Sequence, residues 1–137
     1  MNSKIKRYYD IARAISYSSE FSRIKIGAII VYQKDILAAS ANLKKSHPLQ
    51  KRLNLLRFND GYIDNCHNYL HAEMATILKT NKPDLKGSIL VIYREDKHGN
   101  LANCRPCNAC MAMIKQVKIN KIYYTTEQGY CCEEIIY

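Results

Sequence analysis

Two short segments of the chain contain the residue types that bind metals and move protons. The first is His71-Ala72-Glu73, and the second is Pro106–Cys110, with the sequence PCNAC. A Cys-x-x-Cys pair at a helix start presents two thiolates about one turn apart, which suits zinc, and His71 can supply a third, neutral ligand. Three protein ligands leave the fourth tetrahedral position open for water, as in catalytic zinc sites. The two segments therefore predict a catalytic Zn²⁺ site made of His71, Cys107 and Cys110.

The carboxylate of Glu73 decides between a catalytic and a structural interpretation of this site. Glu73 lies two residues after His71, beside the metal but on a different side of the predicted helix. A carboxylate in that place can take a proton from a zinc-bound water and return it elsewhere, as a general base does. A zinc-stabilised binding module without catalysis is the alternative, but its site closes with a fourth ligand and does not require this carboxylate.

Other cysteines and histidines offer competing metal sites. Cys104 forms a second Cys-x-x-Cys pair with Cys107. A separate zinc site made of His47, Cys66, His67 and Cys104 is a further alternative, with histidine and cysteine both being zinc ligands. The residue types alone leave these alternatives open.

The elements that must position the candidate residues alternate between helices and strands. Apolar spacing, turn residues and β-branched runs predict them in the following order: a first helix capped by Ser3, strands at Ile26–Tyr32 and Ile36–Ala41, an irregular segment at Asn42–Leu70 with a short helix from His47 to Arg57, a helix at His71–Thr80, a strand at Ser88–Tyr93, a helix at Cys107–Val117, and strands at Lys121–Thr125 and Tyr130–Ile136. Helices that alternate with strands indicate an α/β sheet covered on both faces.

The C-terminus constrains the direction of the last strand. Only 12 residues follow Thr125, which is barely the minimum for a helical crossover and leaves no residues for a parallel strand. We therefore expect Tyr130–Ile136 to pair antiparallel with Lys121–Thr125 through a turn at Glu127-Gln128-Gly129.

Length and composition indicate a globular protein with a single domain, residues 1–137. The chain is 47% hydrophobic and 24% charged, within the normal range for such domains. No stretch approaches the roughly 20 apolar residues of a membrane span, and the N-terminus lacks the pattern of a signal peptide. We expect a cytoplasmic protein that does not contact membranes. In that compartment, metal binding or burial explains the six cysteines better than disulfide formation does.

The positive charge of the chain is concentrated in its first 57 residues. The formal net charge is +9, with 12 basic and three acidic residues up to Arg57 and nine of each afterwards. Such an excess favours a phosphate-bearing ligand, either a nucleotide or a polynucleotide, although a solvated basic face is the plain alternative. We expect some cations of the loop that leaves the sheet at Asn42 to bind substrate phosphate: Lys44, Lys45, Lys51, Arg52 and Arg57.

The order His-x-Glu followed by Pro-Cys-x-x-Cys is typical of zinc nucleobase deaminases, and the chain resembles the cytidine deaminase superfamily over Ile26–Thr125. The proline before Cys107 matches the family pattern and selects Cys107 over Cys104. The resemblance implies a three-layer α/β/α fold with a mixed five-stranded sheet, and assembly as a homo-oligomer. It also implies that Glu73 is the proton shuttle, and that Asn42 and Ala72 contact the substrate.

The resemblance implies hydrolytic deamination of cytosine to uracil in a free (deoxy)cytidine nucleoside or nucleotide. The alternative is a deaminase that acts on cytosine or adenine in single-stranded DNA or RNA. An antiparallel last strand resembles the free-cytidine type, since deoxycytidylate and tRNA adenosine deaminases have a parallel one. The chain departs from the family pattern at Arg94–Arg105, an insertion that we expect to border the pocket together with the Lys44–Leu70 loop.

Overall fold

The computed structural model describes residues 1–55 and 69–136. The helices are α1 (Ser3–Ser16), α2 (Pro48–Leu53), α3 (Ala72–Thr80) and α4 (Asn108–Gln116). The strands are β1 (Lys25–Tyr32), β2 (Asp35–Ala41), β3 (Leu43–Ser46), β4 (Tyr69–Leu70), β5 (Ser88–Glu95), β6 (Lys121–Thr126) and β7 (Gly129–Glu134). None of the helices in the described ranges is long and apolar enough to cross a bilayer.

Five strands form one mixed sheet in the order β2-β1-β5-β6-β7. The β5–β6 pair is parallel, with Ile89 opposite Lys121, whereas β1 pairs antiparallel with both β2 and β5. The last strand, β7, runs antiparallel to β6 over six residue pairs, from Lys121–Glu134 to Thr126–Gly129. The mixed five-stranded sheet and the antiparallel last strand are thus confirmed.

The sheet has helices on both faces, so the three-layer α/β/α prediction is also confirmed. Successive residues of a strand point to opposite faces, and the buried residues divide accordingly. Helix α1 covers one face with a cluster made of Tyr8, Tyr9, Ala12, Ile29, Val31, Val91 and Tyr93. Helices α3 and α4 cover the other face with a cluster that includes Ala28, Ile30, Met74, Ile77, Leu90, Ile92, Ile114 and Ile122.

Gly27 allows α1 to lie directly against β1. A Cβ atom at this position would overlap the Ala12 carbonyl oxygen and would lie 2.5 Å from the Ser16 backbone nitrogen. Both obstacles are backbone atoms of a helix, which cannot move aside as a side chain does. The absence of a side chain at Gly27 therefore sets the spacing between the helix layer and the sheet.

Several sequence expectations about element ends were wrong. Asn2, and not Ser3, caps α1, because the Asn2 Oδ1 atom accepts a 2.8 Å hydrogen bond from the Ile5 amide and Ser3 is already helical. Helix α2 ends at Leu53 instead of reaching Arg57, which lies outside the described residues. The helices after the two candidate motifs begin one residue later than expected, at Ala72 and Asn108.

The segment expected to be irregular contains a small second sheet. Strand β3 pairs antiparallel with β4, and Leu43 lies opposite Leu70. These strands of four and two residues are too short to give the alternating pattern by which strands are recognised. At the C-terminus, β7 spans Gly129–Glu134 rather than Tyr130–Ile136.

Replacing Gly27 with alanine should destabilise the protein because the new methyl group overlaps the α1 backbone. We expect the free energy of unfolding to fall by about 1–3 kcal/mol, the usual cost of overpacking, as measured by urea denaturation. The control is Gly99→Ala, where a Cβ meets no atom within 4 Å and only the φ of +81° is unfavourable, at a cost of about 1 kcal/mol. A Gly27→Ala protein as stable as the wild type would contradict this account of the α1–β1 spacing.

Candidate metal centre and active-site pocket

The candidate zinc ligands lie at the N-termini of two different helices. His71 is the N-cap residue of α3, Cys107 is the N-cap residue of α4, and neither side chain caps its own helix. Cys110 follows in the first turn of α4 and is fully buried. The dipoles of two helices thus direct their positive ends toward one place, which favours thiolates there.

The distances between the ligand atoms match those of a tetrahedral zinc site. The Nδ1 atom of His71 lies 3.6 Å from the Cys107 sulfur and 3.3 Å from the Cys110 sulfur, and the three ligand atoms all lie within 4.8 Å of one another. Zinc at about 2.3 Å from sulfur and 2.0–2.1 Å from nitrogen separates these atoms by about 3.6 Å in a tetrahedron. The donor set, two thiols and one imidazole, therefore fits zinc in chemistry and in geometry.

The two thiols influence one another strongly. A hydrogen bond from Cys110 lowers the pKa of Cys107 to about 3, with a further contribution from His71. The same hydrogen bond, together with burial, raises the pKa of Cys110. The lowered pKa of Cys107 favours its thiolate, which is the form of cysteine that binds metals.

Glu73 is the second residue of α3 and is 95% buried at the edge of the same pocket. Burial raises the pKa of its carboxyl group, while the His71 ring and a hydrogen bond with Cys110 act in the opposite direction. Ala72, the first residue of α3, is completely buried and is not part of the pocket wall.

A pocket of about 370 Å³ opens beside the candidate metal centre. Its wall combines aromatic and aliphatic side chains with polar and charged ones, and consists of Phe21, Ile24, Ile26, Asn42, Tyr69, Leu70, His71, Glu73, Arg94, Asn103, Cys104, Arg105 and Cys107. An apolar wall with a few directed polar groups is typical of small-molecule sites. The expectation that Arg94–Arg105 borders the pocket agrees with this wall.

Asn42 uses most of its amide to hold the loop between α1 and β1. Its Oδ1 atom accepts hydrogen bonds from the Ser19 hydroxyl at 2.5 Å and the Ile26 amide at 3.1 Å, and its Nδ2 atom donates to the Ile24 carbonyl at 2.8 Å. One N–H of Nδ2 is left for a substrate. The same loop contributes Phe21 to the pocket wall, where its ring lies 5.6 Å from that of Tyr69 in an edge-to-face pair.

Gln50 fixes the backbone of His71, a role that no local sequence pattern predicts. Its side chain is completely buried, and its Oε1 atom accepts a 3.2 Å hydrogen bond from the His71 amide. The Nε2 atom donates to Asn54 at 2.8 Å within the region of α2. A hydrogen bond between residues 21 positions apart can be identified only in the folded chain.

The second zinc site of the sequence analysis gains no geometric support from the residues that the structure describes. The Nδ1 atom of His47 accepts a hydrogen bond from the Leu49 amide and caps α2. The sulfur of Cys104 lies 3.2 Å from the Thr125 hydroxyl, and burial raises the pKa of this thiol to about 12. Cys66 and His67 lie outside the described residues. Within residues 1–55 and 69–136, His71, Cys107 and Cys110 form the one group that could hold a metal.

The fold and the site together define a class of α/β domain in which two helix N-termini on one face of a mixed sheet present a His/Cys/Cys group that could hold a metal ion. The family model described as the cytidine and deoxycytidylate deaminase zinc-binding region matches residues 2–126. The chain therefore belongs to this family, as the sequence resemblance implied. The family and the His/Cys/Cys group both support Zn²⁺ as the cofactor.

Solved structures similar to this chain include deaminases. The dCMP deaminase of cyanophage S-TIM5 in apo form shares 25% identity over 90% of this chain and 84% of that chain, with a TM-score of 0.58. The same enzyme in complex with dCMP and dUMP shares 26% identity over 90% and 82%, with a TM-score of 0.60. Cytidine deaminase from Burkholderia pseudomallei shares 12% identity over 98% and 93%, with a TM-score of 0.64, and this likeness concerns the fold alone. No protein of curated function matched the chain.

The zinc content of cysteine variants tests the ligand set. We expect one zinc per purified chain, and loss of most of it in the double variant Cys107→Ser, Cys110→Ser, measured by metal analysis. The variant should also unfold at lower temperature, since metal-binding free energy is folding free energy. The matched control is Cys131→Ser, Cys132→Ser, which changes two free thiols in β7 and should retain zinc. Undiminished zinc in the first variant would refute the assignment.

Removing the Asn42 amide should loosen the loop between α1 and β1. The variant Asn42→Ala leaves the Ile26 amide without its side-chain acceptor, and it leaves the buried Ser19 hydroxyl with the longer, 3.3 Å contact to the Asn42 carbonyl. An unsatisfied buried polar group costs about 1–3 kcal/mol. Hydrogen exchange should become faster at residues 19–26 and stay unchanged in α4. Asn100→Ala, at an exposed turn, is the control. Unchanged exchange at residues 19–26 would show that Asn42 does not hold the loop.

Proposed function

We propose that the protein is a zinc-dependent hydrolase that deaminates cytosine to uracil in a free (deoxy)cytidine nucleoside or nucleotide. The observation that carries this proposal is the buried carboxyl group of Glu73 in the same pocket as His71 and Cys107. The similar dCMP deaminase of cyanophage S-TIM5, whose structure is known in complex with dCMP and dUMP, supports a nucleotide in this class. We also expect a homo-oligomer, as the resemblance implied, and a cytoplasmic location, as the sequence pattern indicated.

In this mechanism His71, Cys107 and Cys110 hold zinc, and Glu73 moves protons. When bound, zinc supplies the acidity that makes a water molecule nucleophilic near neutral pH. The Glu73 carboxylate takes one proton from the attacking water and gives it to N3 of cytosine. It then takes the second proton of that water, now on the C4 hydroxyl, and gives it to the amino group, so that the C4–N bond breaks and ammonia leaves. The net reaction adds one water and releases one ammonia, and C4 becomes the carbonyl carbon of uracil.

The pocket wall gives the chain's own residues two further tasks. Apolar groups from two sides, Phe21 with Tyr69 and Ile24 with Ile26, exclude water from most of the base. The remaining N–H of the Asn42 amide is placed to donate to the sugar or the base, which is the role that the resemblance implied. A rigid loop is needed for that role, and the hydrogen bonds to Ser19 and Ile26 supply it.

Deamination of a polynucleotide is the alternative, and its support is the net charge of +9. The described lysines and arginine of the 44–57 loop are exposed, however, and none of them borders the pocket: Lys44, Lys45, Lys51 and Arg52. Ammonia release should therefore be measured with cytidine, deoxycytidine, their monophosphates, adenosine, and short single-stranded DNA and RNA. Preference for an oligonucleotide, with activity that falls steeply with salt, would reverse the order of the two candidates.

Replacing Glu73 separates the enzyme from a zinc-binding scaffold. Glu73→Ala should keep its zinc and fold, while turnover on the substrate found in the panel falls roughly 10²–10⁴-fold, the usual contribution of a positioned acid–base group. The matched control is Glu127→Ala, which removes an exposed carboxylate in the β6–β7 turn. Near-normal turnover of Glu73→Ala would refute the mechanism. Loss of zinc would make Glu73 a fourth ligand and the site a structural one.

A further inference from the structure

Two arginines border the pocket, and they stand at the two ends of the insertion Arg94–Arg105, which begins in the last residues of β5. Arg94 lies near the end of β5, and Arg105 precedes Pro106. The insertion is well anchored, because the Thr125 hydroxyl accepts from the Arg94 amide and donates to the Ala102 carbonyl at 2.8 Å. Their guanidinium groups are therefore attached to a fixed backbone beside the reaction site.

The guanidinium group of Arg94 has more N–H donors than there are acceptors around it. Its Nη1 atom donates to the Asn103 carbonyl at 3.0 Å. Its Nε atom is buried and has no hydrogen-bond partner, and no carboxylate among the described residues forms an ion pair with this side chain. Buried polar groups in folded proteins are normally hydrogen-bonded, so Arg94 has both a charge and an N–H that an anionic ligand would satisfy.

Arg105 is oriented by the last strand. Its Nε and Nη2 atoms donate to the two carboxylate oxygens of Glu133 at 2.7 and 3.2 Å, and the Tyr124 hydroxyl donates to the same carboxylate at 2.6 Å. Two of the five N–H groups are used in this way, and three remain. Glu133 thus holds the guanidinium plane in place, and the remaining donors belong to a side chain that borders the pocket.

We propose that Arg94 and Arg105 bind the phosphate of a nucleotide substrate, and that the substrate class is therefore a free cytosine nucleotide rather than a nucleoside. This inference rests on the proposed function. A terminal phosphate monoester carries close to two negative charges near neutral pH, and arginine recognises phosphate oxygens with its planar fork of donors. A phosphodiester of a polynucleotide has one charge per phosphate and fits a pair of guanidinium groups less well.

Arginine variants test the inference through the preference for a nucleotide. The quantity is the ratio of kcat/KM for dCMP to kcat/KM for deoxycytidine in the zinc-loaded protein. In Arg94→Gln and in Arg105→Gln this ratio should fall roughly 10- to 100-fold, the value of a charge-assisted hydrogen bond. Arg94→Lys, which keeps the charge without the fork, should give an intermediate ratio. The control Lys97→Gln changes an exposed cation of the same insertion that does not border the pocket, and its ratio should equal the wild-type ratio.

Three results would overturn the inference while leaving deamination intact. The first is an equal loss on dCMP and deoxycytidine in both arginine variants. The second is a fall in the ratio for Lys44→Gln, Lys45→Gln but not for Arg94→Gln. The third is a higher kcat/KM for a cytosine in a short single-stranded DNA than for dCMP.

Calorimetry separates failure of the inference from failure of the proposed function. Binding of dUMP and of deoxyuridine to the zinc-loaded protein needs no turnover, and wild-type protein should bind dUMP more tightly by a margin that Arg94→Gln removes. If the wild type deaminates no cytosine compound while this margin is present, the proposed function fails and the phosphate site stands. If the margin is absent from the wild type, the phosphate site fails. Thermal unfolding shows whether each variant is folded. If Arg105→Gln is unfolded, Arg94→Gln still tests the site, because it leaves the ion pair between Arg105 and Glu133 in place.

Discussion

The parallel pairing of β5 with β6 determines where the metal centre can form. Parallel neighbours need a crossover of a dozen or more residues, and here that crossover contains α4. In open α/β sheets, ligands bind outside the carboxyl ends of the strands. Cys107 is the N-cap residue of the crossover helix, and Arg94 and Thr125, near the carboxyl ends of β5 and β6, are hydrogen-bonded to each other beside the same pocket. The sheet topology thereby places Cys107 at the same pocket as the carboxyl end of β5.

Buried polar side chains then fix the irregular segments around that site. A buried polar group is costly unless it is hydrogen-bonded, so each of these groups specifies one position of its partner. Gln50 holds the His71 amide, Asn42 holds the loop that contains Phe21, and Thr125 holds the insertion at Arg94. The irregular parts of the pocket wall are therefore segments whose backbones are fixed by buried polar side chains.

The sequence predicted the parts of the structure that depend on local pattern. The His-x-Glu and Cys-x-x-Cys spacings follow from helix geometry, the apolar runs predict the five strands of the main sheet, and the short polar turn after the fourth of these strands predicts an antiparallel neighbour. The partners of Asn42 and the unpaired Nε of Arg94 could not be predicted, because they depend on which loops meet after folding. The loop cations Lys44 and Lys45 were selected by their nearness in sequence to Asn42, yet the arginines at the pocket come from 50 or more positions further along the chain.

An antiparallel last strand resembles the free-cytidine type, yet it is compatible with a nucleotide substrate. The strand direction and the substrate preference depend on different features of the chain. The direction of β7 follows from the short turn Glu127-Gln128 that joins it to β6, since a parallel neighbour needs a crossover of a dozen or more residues. The preference for a phosphate depends on charges at the pocket wall. The two are connected at a single point, since β7 carries Glu133, whose carboxylate orients Arg105. A parallel strand would place a different residue opposite Ile122, where β7 now presents Glu133. The last strand thus influences the pocket through one carboxylate rather than through its topology.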